Sequence, residues 1–236
     1  MDIPDIEEKP ILIVAATFLE CAPTLNQINE GVVSPKLIQS DFSPKLFIGS
    51  LLQYPVELLI TGIGNVNATF ALTRTLTLKT YSVAISIGIA GSFDNNIQLA
   101  ETVQITEDLF ADFGIDDNGK FKTLTEVGLK QDDFDGNFID NPNPATTNHQ
   151  KVRGITVQTA TGNQNRINEL VNRYNPQVET MENAAFFYVC RKMNVPFASF
   201  RAISNKVEPR NRKNWKIDEA IESVNSALLL TLKQQI

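Results

Sequence analysis

The sequence has only two cysteines and one histidine among its 236 residues. Two thiols cannot build a disulfide framework, and together with a single histidine they lack the ligand number and spacing of a zinc site. A catalytic histidine triad has only His149 to draw on. These counts argue against a metal site, and we expect no organic cofactor either. Any chemistry must come from carboxylates, amides, hydroxyls or arginines.

Long apolar runs and an excess of basic residues are also missing. No apolar segment approaches the roughly 20 residues that a membrane-spanning helix needs. The first residues, MDIPDIEEKP, are acidic, unlike the basic and then apolar start of a signal peptide. The net charge of -6 and the pI near 4.9 argue against nucleic acid or an anionic membrane as the main partner. These absences predict a cytoplasmic protein that binds neither.

Short apolar runs separated by glycine turns are the main pattern that is present. Residues 11–16, 56–61 and 83–87 read as buried strands because each is unbroken and ends at small or polar residues. A helix to about Lys79 is predicted between the second and third runs. Strand, glycine turn, helix and strand again is typical of an α/β fold with a mostly parallel sheet covered by helices. We expect one domain over residues 1–236.

The second half of the chain continues the pattern after a gap. Residues 108–153 are polar and rich in Asp, Asn, Gly and Pro, and they predict an excursion or a lid without clear elements. Outside that gap, the remaining strands are predicted at residues 36–39, 46–51, 100–107, 154–160 and 197–203. The remaining helices are predicted at residues 163–174, 181–193 and from Trp215 onward.

Residues that follow strands should meet, because the carboxyl ends of parallel strands lie at one edge of a sheet. The set contains two carboxylates and one amide. Acceptor groups of this kind suit hydrolysis of a glycosidic bond, in which positive charge develops on the sugar ring. The candidate residues are Glu20, Gly64, Ala90, Gly91, Thr161, Gly162, Met181, Glu182 and Asn205.

The stretch from Met181 to Asn205, with its Met-Glu pair, VPF turn and RAIS strand, resembles the purine nucleoside phosphorylase and nucleosidase superfamily. The segments ILIVAATFLE, TGIGNVNA and SIGIAGS resemble its first strand and two glycine turns. The resemblance implies a three-layer α/β/α sandwich with a mixed, mostly parallel sheet, and a homodimer or higher homo-oligomer. Within the superfamily, VETMENAA together with ISNKVEPRNRKNWKI is most similar to the futalosine hydrolases.

The resemblance implies a role for each main site residue. Glu182 would accept hydrogen bonds from the ribose hydroxyls and favour a cationic transition state, and Met181 would pack on the sugar. Glu20 would orient and deprotonate the attacking water. Asn205 would bind the leaving base. Its amide can offer an oxygen to N7–H and an NH2 group to a 6-oxo group, and so it favours a 6-oxopurine.

The implied reaction is hydrolysis of futalosine to hypoxanthine and dehypoxanthine futalosine, a step of menaquinone biosynthesis. Arg210 or Arg212, next to Trp215, would meet the aryl carboxylate of futalosine; the alternative is a basic turn before the last helix. Ser86 and Ile89 stand where the phosphorylases carry an arginine and a hydroxyl residue, so water is favoured over phosphate.

Three alternatives stay open. One is a nucleosidase for inosine, another is a nucleosidase for substrates of the methylthioadenosine or S-adenosylhomocysteine type, and the third is a purine-nucleoside binding module without turnover. One departure from the superfamily follows the key glutamate, because Asn183 stands where a small residue is usual.

Overall fold

A computed structural model describes residues 9–33, 44–129, 134 and 136–234. The strand predicted at residues 36–39 lies outside the described residues. No helix in the described part of the chain is long and apolar enough to cross a membrane.

Strands and helices alternate in the last third of the chain, and strands β2, β3 and β4 follow one another in the first third. The strands are β1 Ile11–Ala15, β2 Asn29–Val33, β3 Lys45–Leu51, β4 Tyr54–Ile60, β5 Val83–Ser92, β6 Thr102–Asp108, β7 Ile115–Asp117, β8 Lys120–Lys122, β9 Ile139–Asp140, β10 Lys151–Thr156, β11 Val178–Thr180 and β12 Phe197–Lys206. The helices are α1 Phe18–Leu25, α2 Asn65–Leu78, α3 Gln164–Tyr174, α4 Asn183–Lys192 and α5 Ile217–Gln234, with a short 3₁₀ turn at Arg212–Asn214.

One large mixed sheet runs in the order β11-β10-β6-β12-β5-β1-β4-β3-β2. Its centre is parallel, since β1 pairs with β4 and β5, and β5 pairs with β12 in the same direction. Strand β11 pairs with β10 and also, antiparallel, with β5. Strands β11, β10, β6, β12 and β5 therefore form a closed ring. The carboxyl ends of β1, β5, β11 and β12 come together around one opening.

Helices cover both faces of the sheet, which confirms the predicted α/β class. Apolar side chains of α2 and α4, such as Leu72 and Phe187, pack on one face of the central strands. Those of α5, such as Val224 and Leu228, pack on the other face together with Cys21 of α1. Helix α3 completes a smaller cluster against β10.

Several element boundaries differ from the predictions. Residues 88–92, expected as a loop, continue β5, and β12 extends to Lys206, so Asn205 lies inside a strand. Strand β10 ends at Thr156 rather than at Ala160. The register of β12 on β5 shifts between Ile203 and Asn205, which is a β-bulge centred on Ser204. The bulge turns Asn205 onto the sheet face opposite to that of Ile203.

Residues 108–153 contain more structure than the sequence indicated. Strands β7 and β8 form a small hairpin and β9 pairs with β6. Asp108 is completely buried at the end of β6. None of the described residues in this stretch lines the cavity at the strand ends.

Candidate active site

A cavity of about 340 Å³ opens at the carboxyl ends of the central strands. Glu20 of α1, Glu182 at the N-cap position of α4 and Asn205 of β12 line it. Eight of the sequence-predicted positions line this cavity: Glu20, Ala90, Gly91, Thr161, Met181, Glu182, Asn205 and Arg210. Among the described residues, no cluster of three or more His, Cys, Asp or Glu side chains could hold a metal ion.

Glu20 lies in the first turn of α1, where a capping box holds it. The backbone N–H and the hydroxyl of Thr17 donate to Glu20 Oε2 at 2.9 and 2.8 Å, and the Glu20 N–H donates to Thr17 Oγ1 at 3.3 Å. Oε1 accepts from the Ile89 N–H at 3.1 Å. A Cβ at Gly88 would lie only 2.7 Å from Oε1, so a glycine lets the carboxylate approach β5. The carboxylate is thus fixed in orientation, with acceptor capacity left on Oε1.

Glu182 precedes α4 and is held by a distant loop. Its Oε1 accepts from the Gly64 N–H at 2.8 Å, and Gly64 has φ +94°, a conformation that favours glycine. The pKa of Glu182 is raised, chiefly because burial disfavours the charged form. The Gly64 N–H opposes that rise, the Glu20 charge adds to it, and the Arg201 charge opposes it.

Arg201 is the buried cation behind both carboxylates. Its Nη2 donates to Ser86 Oγ at 2.9 Å and its Nη1 donates to the Phe200 carbonyl at 2.8 Å. Burial lowers the pKa of Arg201, while the charges of Glu20, Glu182 and Asp108 raise it. Arg201 thus satisfies buried acceptors from within an apolar strand.

Asn205 has a defined amide orientation. Its Oδ1 accepts from the Ser204 hydroxyl at 2.8 Å, and its Nδ2 donates to the Lys206 carbonyl at 2.9 Å. The Ser204 hydroxyl also lies 3.2 Å from the Ala90 carbonyl oxygen. An amide has two acceptor and two donor positions, so one of each remains for a ligand in the cavity.

Three predicted positions stand apart from the cavity lining. Gly64 acts on Glu182 through its N–H, and Gly162 and Arg212 do not line the cavity. Arg210 lines it together with Trp215. The Arg210 guanidinium carbon lies 5.2 Å from the centroid of the Trp215 ring, and that of Arg212 lies 5.8 Å from it.

Thr17 and Glu179 also line the cavity and were not among the residues predicted from the sequence. The capping box could have been found, since Thr17-Phe18-Leu19-Glu20 has the required spacing of a hydroxyl and a glutamate. Glu179 also lines the cavity; its Oε1 accepts from the Thr161 N–H at 2.8 Å, and burial raises its pKa. No local pattern distinguishes Glu179 from an ordinary strand residue.

Residues 10–232 match the model of the phosphorylase superfamily. The chain belongs to the phosphorylase superfamily. A futalosine hydrolase of Thermus thermophilus is 27% identical over 185 residues, which are 75% of this chain and 81% of that protein. A 5'-methylthioadenosine/S-adenosylhomocysteine nucleosidase of Bacillus thuringiensis is 30% identical over 165 residues, 66% of this chain and 71% of that protein.

Solved structures of nucleosidases and of a futalosine hydrolase share the fold. The nucleosidase of Neisseria meningitidis in complex with methylthio-immucillin-A has a TM-score of 0.79 at 16% identity, covering 96% of this chain and 99% of that chain. Futalosine hydrolase of Helicobacter pylori has a TM-score of 0.78 at 15% identity, covering 96% and 98%. At these identities the likeness concerns the fold alone, and it confirms the predicted nucleoside-phosphorylase-like architecture.

Proposed function

We propose that this chain is a purine nucleosidase that hydrolyses the N-glycosidic bond of futalosine and releases hypoxanthine. Its family and both relatives, a futalosine hydrolase and a methylthioadenosine-type nucleosidase, support N-ribosyl hydrolysis as the reaction class. The observation that carries the proposal is the pair of carboxylates, Glu20 and Glu182, that face one cavity together with the Asn205 amide.

The two carboxylates divide the work on the sugar. Glu182 accepts from the ribose hydroxyls, and its negative charge stabilises the transition state, in which the ring becomes cationic, more than the neutral substrate. Glu20 accepts a proton from water that attacks the anomeric carbon. Its two oxygens are already oriented by Thr17 and Ile89, which places the base before the substrate arrives.

Water is a better nucleophile here than phosphate. The cations that line the cavity are Lys206 and Arg210. Lys206 Nζ donates to the carbonyls of Asp94 and Ile97 at 2.7 and 2.6 Å, and Arg210 lies against Trp215. Arg201 is enclosed by protein acceptors. A phosphate dianion would thus lack the donors that neutralise it elsewhere in the superfamily.

Asn205 supports a 6-oxopurine as the leaving base. As the glycosidic bond breaks, the base leaves with the bonding electron pair and takes a proton from solvent at N7. The remaining lone pair of Oδ1 then accepts from that N7–H, and the remaining Nδ2 hydrogen donates to the 6-oxo group. Arg210 supports the futalosine side of the proposal, because its guanidinium borders the same cavity and suits a carboxylate. Arg212 is the weaker candidate for that contact, since it does not border the cavity.

Release of free base from futalosine, inosine and methylthioadenosine, with and without phosphate, tests the proposal. We expect phosphate-independent release, fastest from futalosine. The Arg210→Ala variant should raise KM for futalosine while leaving KM for inosine unchanged, and Arg212→Ala serves as the matched control. Faster release from methylthioadenosine would assign the chain to the second relative's class. Release that depends on phosphate would contradict hydrolysis. Binding of nucleosides without release of free base would indicate a binding module.

A homodimer or higher oligomer completes the proposal. Ile63, Val66 and Phe70 form an exposed apolar stripe at the start of α2, with 56%, 73% and 58% of their surfaces accessible. An apolar stripe of this kind is typical of a subunit interface. Sedimentation of the wild type and of a Val66→Lys/Phe70→Lys variant tests the assembly. The cytoplasmic location stays a prediction from the sequence.

A further inference from the structure

Helix α4 begins without the usual cap. Glu182 occupies its N-cap position, yet the Glu182 side chain accepts no hydrogen bond from its own helix and bonds to the Gly64 N–H instead. The first N–H groups of a helix have no partner inside the helix. Because the start of α4 is buried, these groups need acceptors from other elements.

Two threonine hydroxyls from neighbouring strands supply the acceptors. The Ala184 N–H donates to Thr156 Oγ1 at 2.8 Å, and the Asn183 N–H donates to Thr180 Oγ1 at 3.3 Å. Thr156 ends β10 and Thr180 ends β11, and both are buried. Ala184 is the second residue of the helix, which is a position whose N–H an ordinary cap side chain would take.

Asp108 determines which way the Thr156 hydroxyl points. That hydroxyl donates to Asp108 Oδ1 at 2.9 Å, so a lone pair of Thr156 Oγ1 is left for the Ala184 N–H. Asp108 Oδ2 accepts from Asn183 Nδ2 at 2.8 Å. One carboxylate oxygen of Asp108 thereby holds Thr156, and the other holds Asn183, the first residue of α4.

Asn183 extends the connection to the buried cation. Its Oδ1 accepts from the Ser199 hydroxyl at 2.6 Å, and Ser199 Oγ accepts from Arg201 Nη1 at 3.3 Å. Every donor in this series points from Arg201 toward Asp108. The residue that departs from the small side chain usual in the superfamily is thus the bridge between the helix and β12.

We propose that Thr156, oriented by Asp108, caps helix α4 in place of Glu182 and so keeps the Glu182 carboxylate turned toward the cavity. Thr156 and Asp108 are positioning residues in this scheme, since neither lines the cavity. Without the Thr156 hydroxyl, the Glu182 carboxylate can accept from the Ala184 N–H from its N-cap position, and in that role it would leave Gly64 and the sugar site. The inference rests on Glu182 acting on the ribose, as in the proposed function.

A series at position 156 tests the scheme. Thr156→Val removes the acceptor and keeps the shape, Thr156→Cys fills the space with a weak acceptor, and Thr156→Ser keeps the hydroxyl. Thr231→Val is the matched control, because Thr231 is a buried threonine of α5 whose hydroxyl donates to the Ala227 carbonyl at 2.9 Å, away from the cavity.

We expect kcat, measured with the nucleoside that the wild type cleaves fastest, to fall about 10- to 100-fold in Thr156→Val, the scale of a misplaced catalytic group. Thr156→Cys should lie between Val and Ser, and Thr156→Ser and Thr231→Val should stay near wild type. The scheme is overturned if Thr156→Ser is as slow as Thr156→Val, since methyl packing would then be the cause, or if kcat is unchanged in Thr156→Val. Should Thr156→Val fail to fold, the comparison of Cys with Ser decides in the same way.

A crystal structure of Thr156→Val, or of Thr156→Cys, gives a readout that needs no turnover. We expect Glu182 to accept from the Ala184 N–H and to have left the Gly64 N–H; an unmoved Glu182 contradicts the scheme. If the wild type cleaves no nucleoside, the proposed function fails, yet the position of Glu182 in this structure still decides the inference.

Discussion

Helices α1 and α4 both begin at the cavity, and each brings one carboxylate to it by a different route. Glu20 is held within its own first turn by Thr17, three positions earlier. Glu182 is held by Gly64, which is 118 positions away, while Thr156 and Thr180 satisfy the N–H groups that follow it. One carboxylate therefore serves both its helix and the cavity, and the other is released from its helix.

The difference teaches where each orientation is encoded. The position of Glu20 is set mainly within four consecutive residues, and β5 adds one distant contact through the Ile89 N–H. The position of Glu182 depends on a loop, two strands and a buried carboxylate that meet only in the folded chain. Substitutions that leave the helix cap intact but remove a charge separate the two routes most clearly.

The largest effect is expected for Glu20→Gln. Glutamine can still complete the capping box, so the melting temperature should stay near that of the wild type, but it cannot take a proton from water. We expect kcat to fall about 10²- to 10⁴-fold, the usual contribution of a general base. Free-base release and thermal unfolding measure the two quantities. Wild-type turnover in a folded Glu20→Gln protein would remove Glu20 from the role of base.

Glu182→Gln should have the next largest effect. The glutamine oxygen can still accept from the Gly64 N–H, so the side chain keeps its place and loses only its charge. We expect kcat to fall about 10²- to 10³-fold, because the cationic sugar loses an electrostatic partner. Binding of hypoxanthine alone, measured by calorimetry, should change little and is the control. If Glu182→Gln raised KM and left kcat unchanged, Glu182 would bind the substrate and the transition state equally and would not stabilise the transition state selectively.

Thr17→Val should produce a smaller, mixed effect. It removes the hydroxyl that donates to Glu20 Oε2 and caps α1. We expect the free energy of unfolding to fall by about 1 kcal/mol, as for other lost caps. Turnover should fall as well, because Glu20 is less well oriented, whereas Thr17→Ser should retain both. Denaturant unfolding and steady-state kinetics on the three proteins test this, and equal kcat in Val and Ser would separate the cap from catalysis.

The smallest effect concerns pH and Asp108. Burial raises the pKa of Asp108 from 3.8 to about 7, against the hydrogen bonds from Asn183 and Thr156. Between pH 3.8 and about 7 the folded state holds a proton on Asp108 that the unfolded state has lost. This residue's contribution to stability is therefore full below pH 3.8 and is lost as pH rises toward 7, above which the ionised carboxylate accepts from both Thr156 and Asn183. Asp108→Asn does not titrate. Its melting temperature relative to wild type should therefore rise between pH 4 and 7, and a constant difference would contradict the raised pKa.

The elements of the fold that could be predicted are those whose local sequence shows a regular spacing of apolar residues. The runs at residues 11–16 and 56–61 and the helix ending at Tyr174 need only apolar spacing and turn residues, and the structure has elements at all three. The strand ends near Glu20, Glu182 and Asn205 follow from parallel topology. What could not be predicted depends on contacts between distant segments. The extension of β5 through Gly88 requires Glu20 and Arg201 to pack against it, and burial of Asp108 requires β10 and α4 to be in place.

The bulge at Ser204 has a consequence for how this site can change. The bulge lets Ile203 and Asn205 pair with the consecutive residues Ala90 and Gly91 of β5, so Asn205 has the sheet face that a residue directly after Ile203 would have in a regular strand. Deleting Ser204 would therefore keep the amide on its side of the sheet and remove the hydroxyl that donates to Asn205 Oδ1. The amide could then exchange the positions of its oxygen and its NH2 group, so a single-residue deletion can alter base preference while Asn205 stays in place.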